Sequence, residues 1–257
     1  MDNLLTSVNT IVEALQIFEA LTEKLASVSF NLRDWTSNSE QFQNSIPLEK
    51  RSSKTQVSVL DLLWDIQEDI LHYQFEEGSS ANSLCTTLSC LQQVFDPLGY
   101  VSPCLLDLKL FIQECWKSKI LWDQVLPDHM QIKLCRLMSE REEILKIIIP
   151  RYFWHQKAAN GSSFELHAFC DASIKAYGCV VYLVRKPKSG VPECTLLFAK
   201  NRVAPLKSGK LTDNSLSIPR LELLAVLIGK RASQFILTHM NISTDTTVLW
   251  TDSTTVL

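Results

Sequence analysis

"SFELHAFCDAS" (residues 163–173) reads as a β-strand that ends on an acid, and the segments after it decide the fold. "AYGCVVYLV" (176–184) is a fully buried strand, "RKPKSGVP" (185–192) a polar turn and "CTLLFAKNRVAP" (194–205) a third strand. Two hairpin-length connections imply an antiparallel meander. A polar stretch leads into "IPRLELLAVLIGKRASQFILTHM" (218–240), whose apolar face uses Leu221, Leu224, Ala225, Ile228, Ala232 and Phe235, a helical stripe. "TTVLWTDS" (246–253) is a fourth strand. The order is β-β-β-α-β, with a domain boundary expected at about 145–160.

Three acids stand where a core-forming residue would cost less. Asp171 closes the first strand, Asp252 closes the fourth, and Glu222 lies in the first turns of the helix. A right-handed crossover through the helix would lay the fourth strand beside the first in parallel, so both aspartates would emerge at one sheet edge. The helix starts near that edge, and Glu222 would lean toward them. Three adjacent carboxylates repel one another and resist desolvation. A hard divalent cation with oxygen ligands, Mg²⁺ or Mn²⁺, offsets both costs. Two such ions about 3.5–4 Å apart serve phosphodiester cleavage. Taken singly, each acid has an ordinary explanation, as a turn former or a helix-dipole partner. The metal reading rests on their order in the frame.

Upstream, the pattern is mostly helical. "TIVEALQIFEALTEKLASV" (10–28) carries an apolar stripe from Ile11 to Leu25, and Thr10 with Glu13 forms a capping box. "SFNLRDW" (29–35) reads as a strand, "SNSEQFQNSIP" (37–47) as a short helix ended by Pro47, and "TQVSVLDLLWDI" (55–66) as one strand, with a second in "QEDILHYQF" (67–75). Three helices follow: "SLCTTLSCLQQVFDPLG" (83–99), "SPCLLDLKLFIQECWKSKI" (102–120) with Pro103 in its first turn, and "DHMQIKLCRLMSEREEILKI" (128–147).

The 257 residues carry 46% hydrophobic and 21% charged residues, the balance of a globular chain with a real core. No apolar run approaches the roughly 18 residues of a membrane span, and no secretory signal opens the chain, so an intracellular location without membrane attachment is expected. Eight cysteines lack zinc-site spacing and read as free thiols. The net charge of −3 hides an asymmetry: residues 1–150 hold 12 basic against 21 acidic residues, and residues 151–257 hold 13 against 7. Lys200, Arg202, Lys207, Lys210 and Arg220 belong to a basic stretch that a polyanion would fit; a solvated face is the alternative. No D-[ST]-G occurs, which argues against an aspartic peptidase. The five histidines read as structural or surface residues. Trp116 and Trp122 are candidates for touching nucleic acid.

"HAFCDAS", "AYGCVVYLV", "FAKNRVAP", "SIPRLELLA" and "LWTDS" together resemble the ribonuclease H-like domain of BEL/Pao-type LTR retrotransposon polyproteins. "FDPLGYVSP", "LKLFIQECWKSKILWDQVLP" and "SFNLRDWTSNS" resemble the segment that joins reverse-transcriptase palm and thumb to that domain. The resemblance covers almost the whole chain. It implies an α+β or α/β architecture. Residues 1–80 would be a palm remnant with adjoining strands, 81–150 a helical thumb and connection, and 151–257 a ribonuclease H-like domain truncated after its fourth strand. It implies that Asp171, Glu222 and Asp252 are catalytic metal ligands, that Mg²⁺ or Mn²⁺ is the cofactor, weakly held, and that an RNA–DNA hybrid or other nucleic acid is the partner. The family would supply a further acid and more sheet and helix after the fourth strand, so hybrid cleavage is expected to be weak or absent. "MDNLLTS" resembles the end of the polymerase Y-x-D-D hairpin, with Asp2 and Asn3 on the motif acids. An amide there does not bring the charge a two-metal site needs, and polymerase activity is not expected. Asp61 stands where the family would have a glycine. An edge strand near Asp252 would favour self-association. The alternative function is a non-catalytic nucleic-acid-binding protein or a decayed relic.

Overall fold

The structure is a computed structural model and describes residues 4–76, 81–152, 162–206, 216–240, 244 and 246–254. The chain divides into two compact units, residues 1–74 with 146–152, and residues 75–145 with 153–257. The helical stretch assigned its own domain in the sequence thus falls in the same unit as the strands that follow it, and a short piece near Pro150 returns to the first unit.

In the first unit, α1 (Ile11–Ala26) starts on the Thr10–Glu13 capping box, and α2 (Glu40–Ser45) is capped by Ser39. Phe18, Phe42 and Ile46 form a small core, with Trp35 edge-on to Phe18. Four short strands make an antiparallel sheet in the order β1-β2-β3-β4: β1 (Gln56–Val59), β2 (Leu62–Asp65), β3 (Ile70–Tyr73) and β4 (Ile148–Pro150). "TQVSVLDLLWDI", read as one strand, is a hairpin. Val59 pairs with Leu62, and Leu60 and Asp61 between them have φ of 49° and 58°. That is the two-residue turn with positive φ at both central positions, where glycine is favoured. "SFNLRDW" forms no strand; its only β-partnering among the described residues is the isolated bridge Trp35–Arg51.

In the second unit, α3 (Leu84–Gln92), α4 (Leu106–Lys117) and α5 (Asp128–Glu142) enclose Phe111, Cys115, Leu126 and Leu134, which are almost wholly buried. Pro103 precedes α4 in a run of turns rather than lying in its first turn. The sheet beside them has the order β7-β6-β5-β8, with β5 (Ser163–Ala172), β6 (Ala176–Lys186), β7 (Glu193–Val203) and β8 (Thr246–Trp250). β5, β6 and β7 are antiparallel, and β8 runs parallel to β5 after the crossover helix α6 (Ile218–His239). The β-β-β-α-β order therefore stands. Alternation along β5 turns Leu166, Ala168 and Cys170 toward α6, where Val181, Leu183, Leu221 and Ala225 complete the core.

The loop before α4 seals the outer edge of β7. Leu98 C=O accepts from Ala199 N–H at 2.8 Å, Tyr100 Oη donates to Leu196 C=O at 2.8 Å, and Asn201 Nδ2 donates to Ser102 C=O at 2.7 Å. Gly99, at φ +79°, permits the approach: a Cβ there would sit 1.7 Å from Ala199 O. No such cover lies over β8 among the described residues, so it forms the sheet's open edge.

Candidate metal centre

Strand and helix geometry bring the three acids together. The parallel register sets Phe169 beside Trp250, and the same offset, continued two residues past the end of β8, would set Asp171 opposite Asp252. Glu222 stands in the first turns of α6, which begins over that end of the sheet. One carboxylate oxygen from each of Asp171, Glu222 and Asp252 lies within 4.8 Å of the others, a spacing one cation can bridge. Asp171 and Asp252 are exposed, and Glu222 is buried.

The electrostatics carry the strain expected of such a cluster. Burial, then the charges of Asp171 and Asp252, push the Glu222 carboxyl above the usual carboxylate range, and a hydrogen bond from the Ala172 backbone only tempers this. Glu222 Oε2 is buried with no hydrogen-bond partner. Ala172 N–H also donates to Asp171 Oδ1 at 2.7 Å, which fixes that side chain at the strand end. An orphaned, buried carboxylate oxygen facing two more carboxylates is an all-oxygen donor set for a hard cation, so magnesium or manganese fits. The neighbouring thiols do not compete. Burial pushes Cys170 up to about 11 and Cys179 up to about 12, leaving both protonated and poor ligands.

The basic candidates are less concentrated. Lys200 and Arg202 lie on β7 and Arg220 at the start of α6, all exposed. Lys207 and Lys210 lie outside the described residues, as do Asp2 and Asn3. Trp116 and Trp122 are exposed in the helical part of the second unit. Sequence reasoning passed over Phe169 and Trp250, exposed aromatics two residues before the aspartates. The alternation that places Asp171 on the open face of the sheet also places Phe169 there, and would have revealed it. No helix among the described residues is long and apolar enough to cross a membrane.

A family model described as "Pao retrotransposon-like RNaseH-like domain" matches residues 84–253. The chain is also similar to solved structures of a foamy viral protease-reverse transcriptase. One, the dRH form with double-stranded DNA, has 13% identity and a TM-score of 0.48, with 96% of this chain and 38% of that one covered. A second, with RNA/DNA hybrid, has 14% identity and a TM-score of 0.46, covering 96% and 29%. A third, with double-stranded DNA, has 14% identity and a TM-score of 0.47, covering 96% and 44%. The chain spans less than half the length of each. No curated protein matches it in sequence.

Proposed function

The chain belongs to the Pao retrotransposon-like RNaseH-like family, and from that premise we propose that Asp171, Glu222 and Asp252 hold Mg²⁺ or Mn²⁺ and that the domain acts on nucleic acid. Its substrate is the RNA strand of an RNA–DNA hybrid, hydrolysed slowly. The observation that supports this is the convergence of three carboxylates within 4.8 Å from a strand end, a helix start and a second strand end. The bound ion supplies positive charge at the scissile phosphate and acidifies a water. The protein's own groups set the geometry. Asp171 and Asp252 offer exposed oxygens from rigid strand ends, and Glu222 anchors the buried side. The three carboxylates found among the described residues would compensate one divalent ion well and a second poorly, which is the ground for proposing a low rate.

The test is Mn²⁺ binding by the 257-residue chain, followed by calorimetry, together with cleavage of end-labelled RNA in a hybrid. Binding that disappears in Asp171→Asn, with slow cleavage that disappears alongside it, is the expected result. Unchanged Mn²⁺ affinity in Asp171→Asn sinks the site, and fast cleavage by the wild-type chain sinks the low rate.

A non-catalytic reading has its own support in the exposed Lys200, Arg202 and Arg220. Binding through phosphates alone would weaken steeply with salt and ignore Mn²⁺. Self-association through the open edge of β8, where Leu249 is exposed, is part of the same proposal and is read from sedimentation against concentration.

A further inference from the structure

An aromatic ring stands two residues before each aspartate. Phe169 and Trp250 are neighbours across β5 and β8. Their rings lie 9° from parallel with centroids 5.9 Å apart. They are 45% and 48% exposed, much apolar area for two adjacent aromatic rings. Their strand neighbours Ala168 and Cys170 serve the core under α6, so these two rings are spared from it.

The pair is also held in place. Trp250 Nε1 donates to His167 Nδ1 at 3.0 Å, and its ring stacks on the imidazole at 6.0 Å and 23°. A neutral His167 accepting at Nδ1 carries its proton on Nε2. That nitrogen faces Glu165 Oε2 at 3.3 Å. Lys186 Nζ holds Glu165 from the other side at 2.6 Å, and the carboxyl stays below its ordinary range through these two contacts. At Trp250, part of the side-chain entropy that a ligand would otherwise have to remove is already lost.

One cavity of about 650 Å³ is lined by both rings, both aspartates, Gly178 and Asn201. Gly178 places no side chain between Asp171 and Asn201, its register partners on β5 and β7. An occupant must therefore offer a flat π surface and, two strand residues or about 6.6 Å away, an anion for the carboxylate-held ion. A nucleotide has both on one scaffold.

We propose that Phe169 and Trp250 form a stacking platform for an unpaired nucleobase of the strand whose phosphate lies at the three carboxylates. The proposal rests on the nucleic-acid reading above: the ion would place the phosphate, and the ring contact is the part measured without it. Stacking on one aromatic platform changes affinity by roughly tenfold or more.

The experiment is fluorescence anisotropy of labelled single strands of roughly ten nucleotides, in EDTA, against the same strands with abasic sites. Wild type binds intact strands about tenfold tighter than abasic ones. The ratio falls to near one in Phe169→Ala and is largely kept in Trp250→Phe, which retains a ring. Wild type that fails to bind Mn²⁺ while keeping the ratio sinks the metal reading alone. Equal binding of intact and abasic strands, a ratio unmoved by Phe169→Ala, or no binding of either strand overturns the platform. So does a concentration-dependent dimer that Phe169→Ala abolishes, because the face then belongs to a second copy of the chain.

Discussion

Asp171 and Asp252 each bring a carboxylate oxygen within 4.8 Å of the other's, although 81 positions separate them in the sequence. The offset that pairs Glu165 with Thr246 and Phe169 with Trp250, continued two residues past the end of β8, would set the two acids opposite one another. Like charges in adjacent rows cost free energy unless something positive lies between them.

Equivalent substitutions at the two aspartates should therefore have equivalent effects. Asp171→Asn and Asp252→Asn are each expected to lower Mn²⁺ affinity by at least about tenfold. Neither should lower the melting temperature of the metal-free protein, because each removes a repulsion. Calorimetric titration and thermal unfolding in EDTA check both halves.

Glu222 gives a pH dependence of definite sign. Its folded carboxyl lies above the ordinary value of 4.5, chiefly through burial and then through Asp171 and Asp252. The folded state therefore binds more protons than the unfolded state between that value and the raised one. Metal-free stability should rise as the pH falls through this window and be lost as the pH rises through the folded value. Glu222→Gln should flatten the slope and raise the neutral-pH melting temperature in EDTA. Saturating Mn²⁺ should stabilise wild type and not the variant. Melting curves across pH, with and without metal, read all three.

Gly99→Ala tests how firmly the loop before α4 is held to the sheet. The added Cβ meets the Ala199 carbonyl at 1.7 Å, a backbone atom with nowhere to go, and alanine is strained at φ +79°. A loss of about 3 kcal/mol is expected, toward the upper end of the overpacking range. Urea unfolding measures it; a loss below about 1 kcal/mol would mean the loop detaches freely.

The sequence exposed some of these features and hid others for physical reasons. The acids at 171, 222 and 252 were legible because strand alternation, an amphipathic helix and the right-handed crossover are local or chiral rules. The hairpin at Leu60–Asp61 was hidden because its turn lacks the glycine or asparagine that usually marks positive φ at both positions. The three-residue strand β4 was hidden because it exists only through pairing with β3, far back in the chain. Arg151, just after it, clasps Asp69 through two nitrogens, an anchor no local pattern announces. The ring pair at Phe169 and Trp250 was half legible: its face followed from alternation, but its partnership required knowing the register.

Gly229 links the packing of α6 to the site. A Cβ there would lie 2.4 Å from Cys170 Sγ, with Leu249 and Cys179 closing in at 3.5 and 3.6 Å. Glu222 is seven residues earlier, two turns along the same helix face. Gly229→Ala should push α6 away from β5, cost about 1–3 kcal/mol, and carry Glu222 off its partners. Mn²⁺ affinity should fall with stability, although no ligand has been touched. Because the clash is with one sulfur, Cys170→Ala in the same chain should restore much of both. A double-mutant cycle in denaturation and in Mn²⁺ titration measures that coupling. Independent, additive losses would show that the helix does not rest on Cys170 at this point, and that Glu222 is positioned from elsewhere.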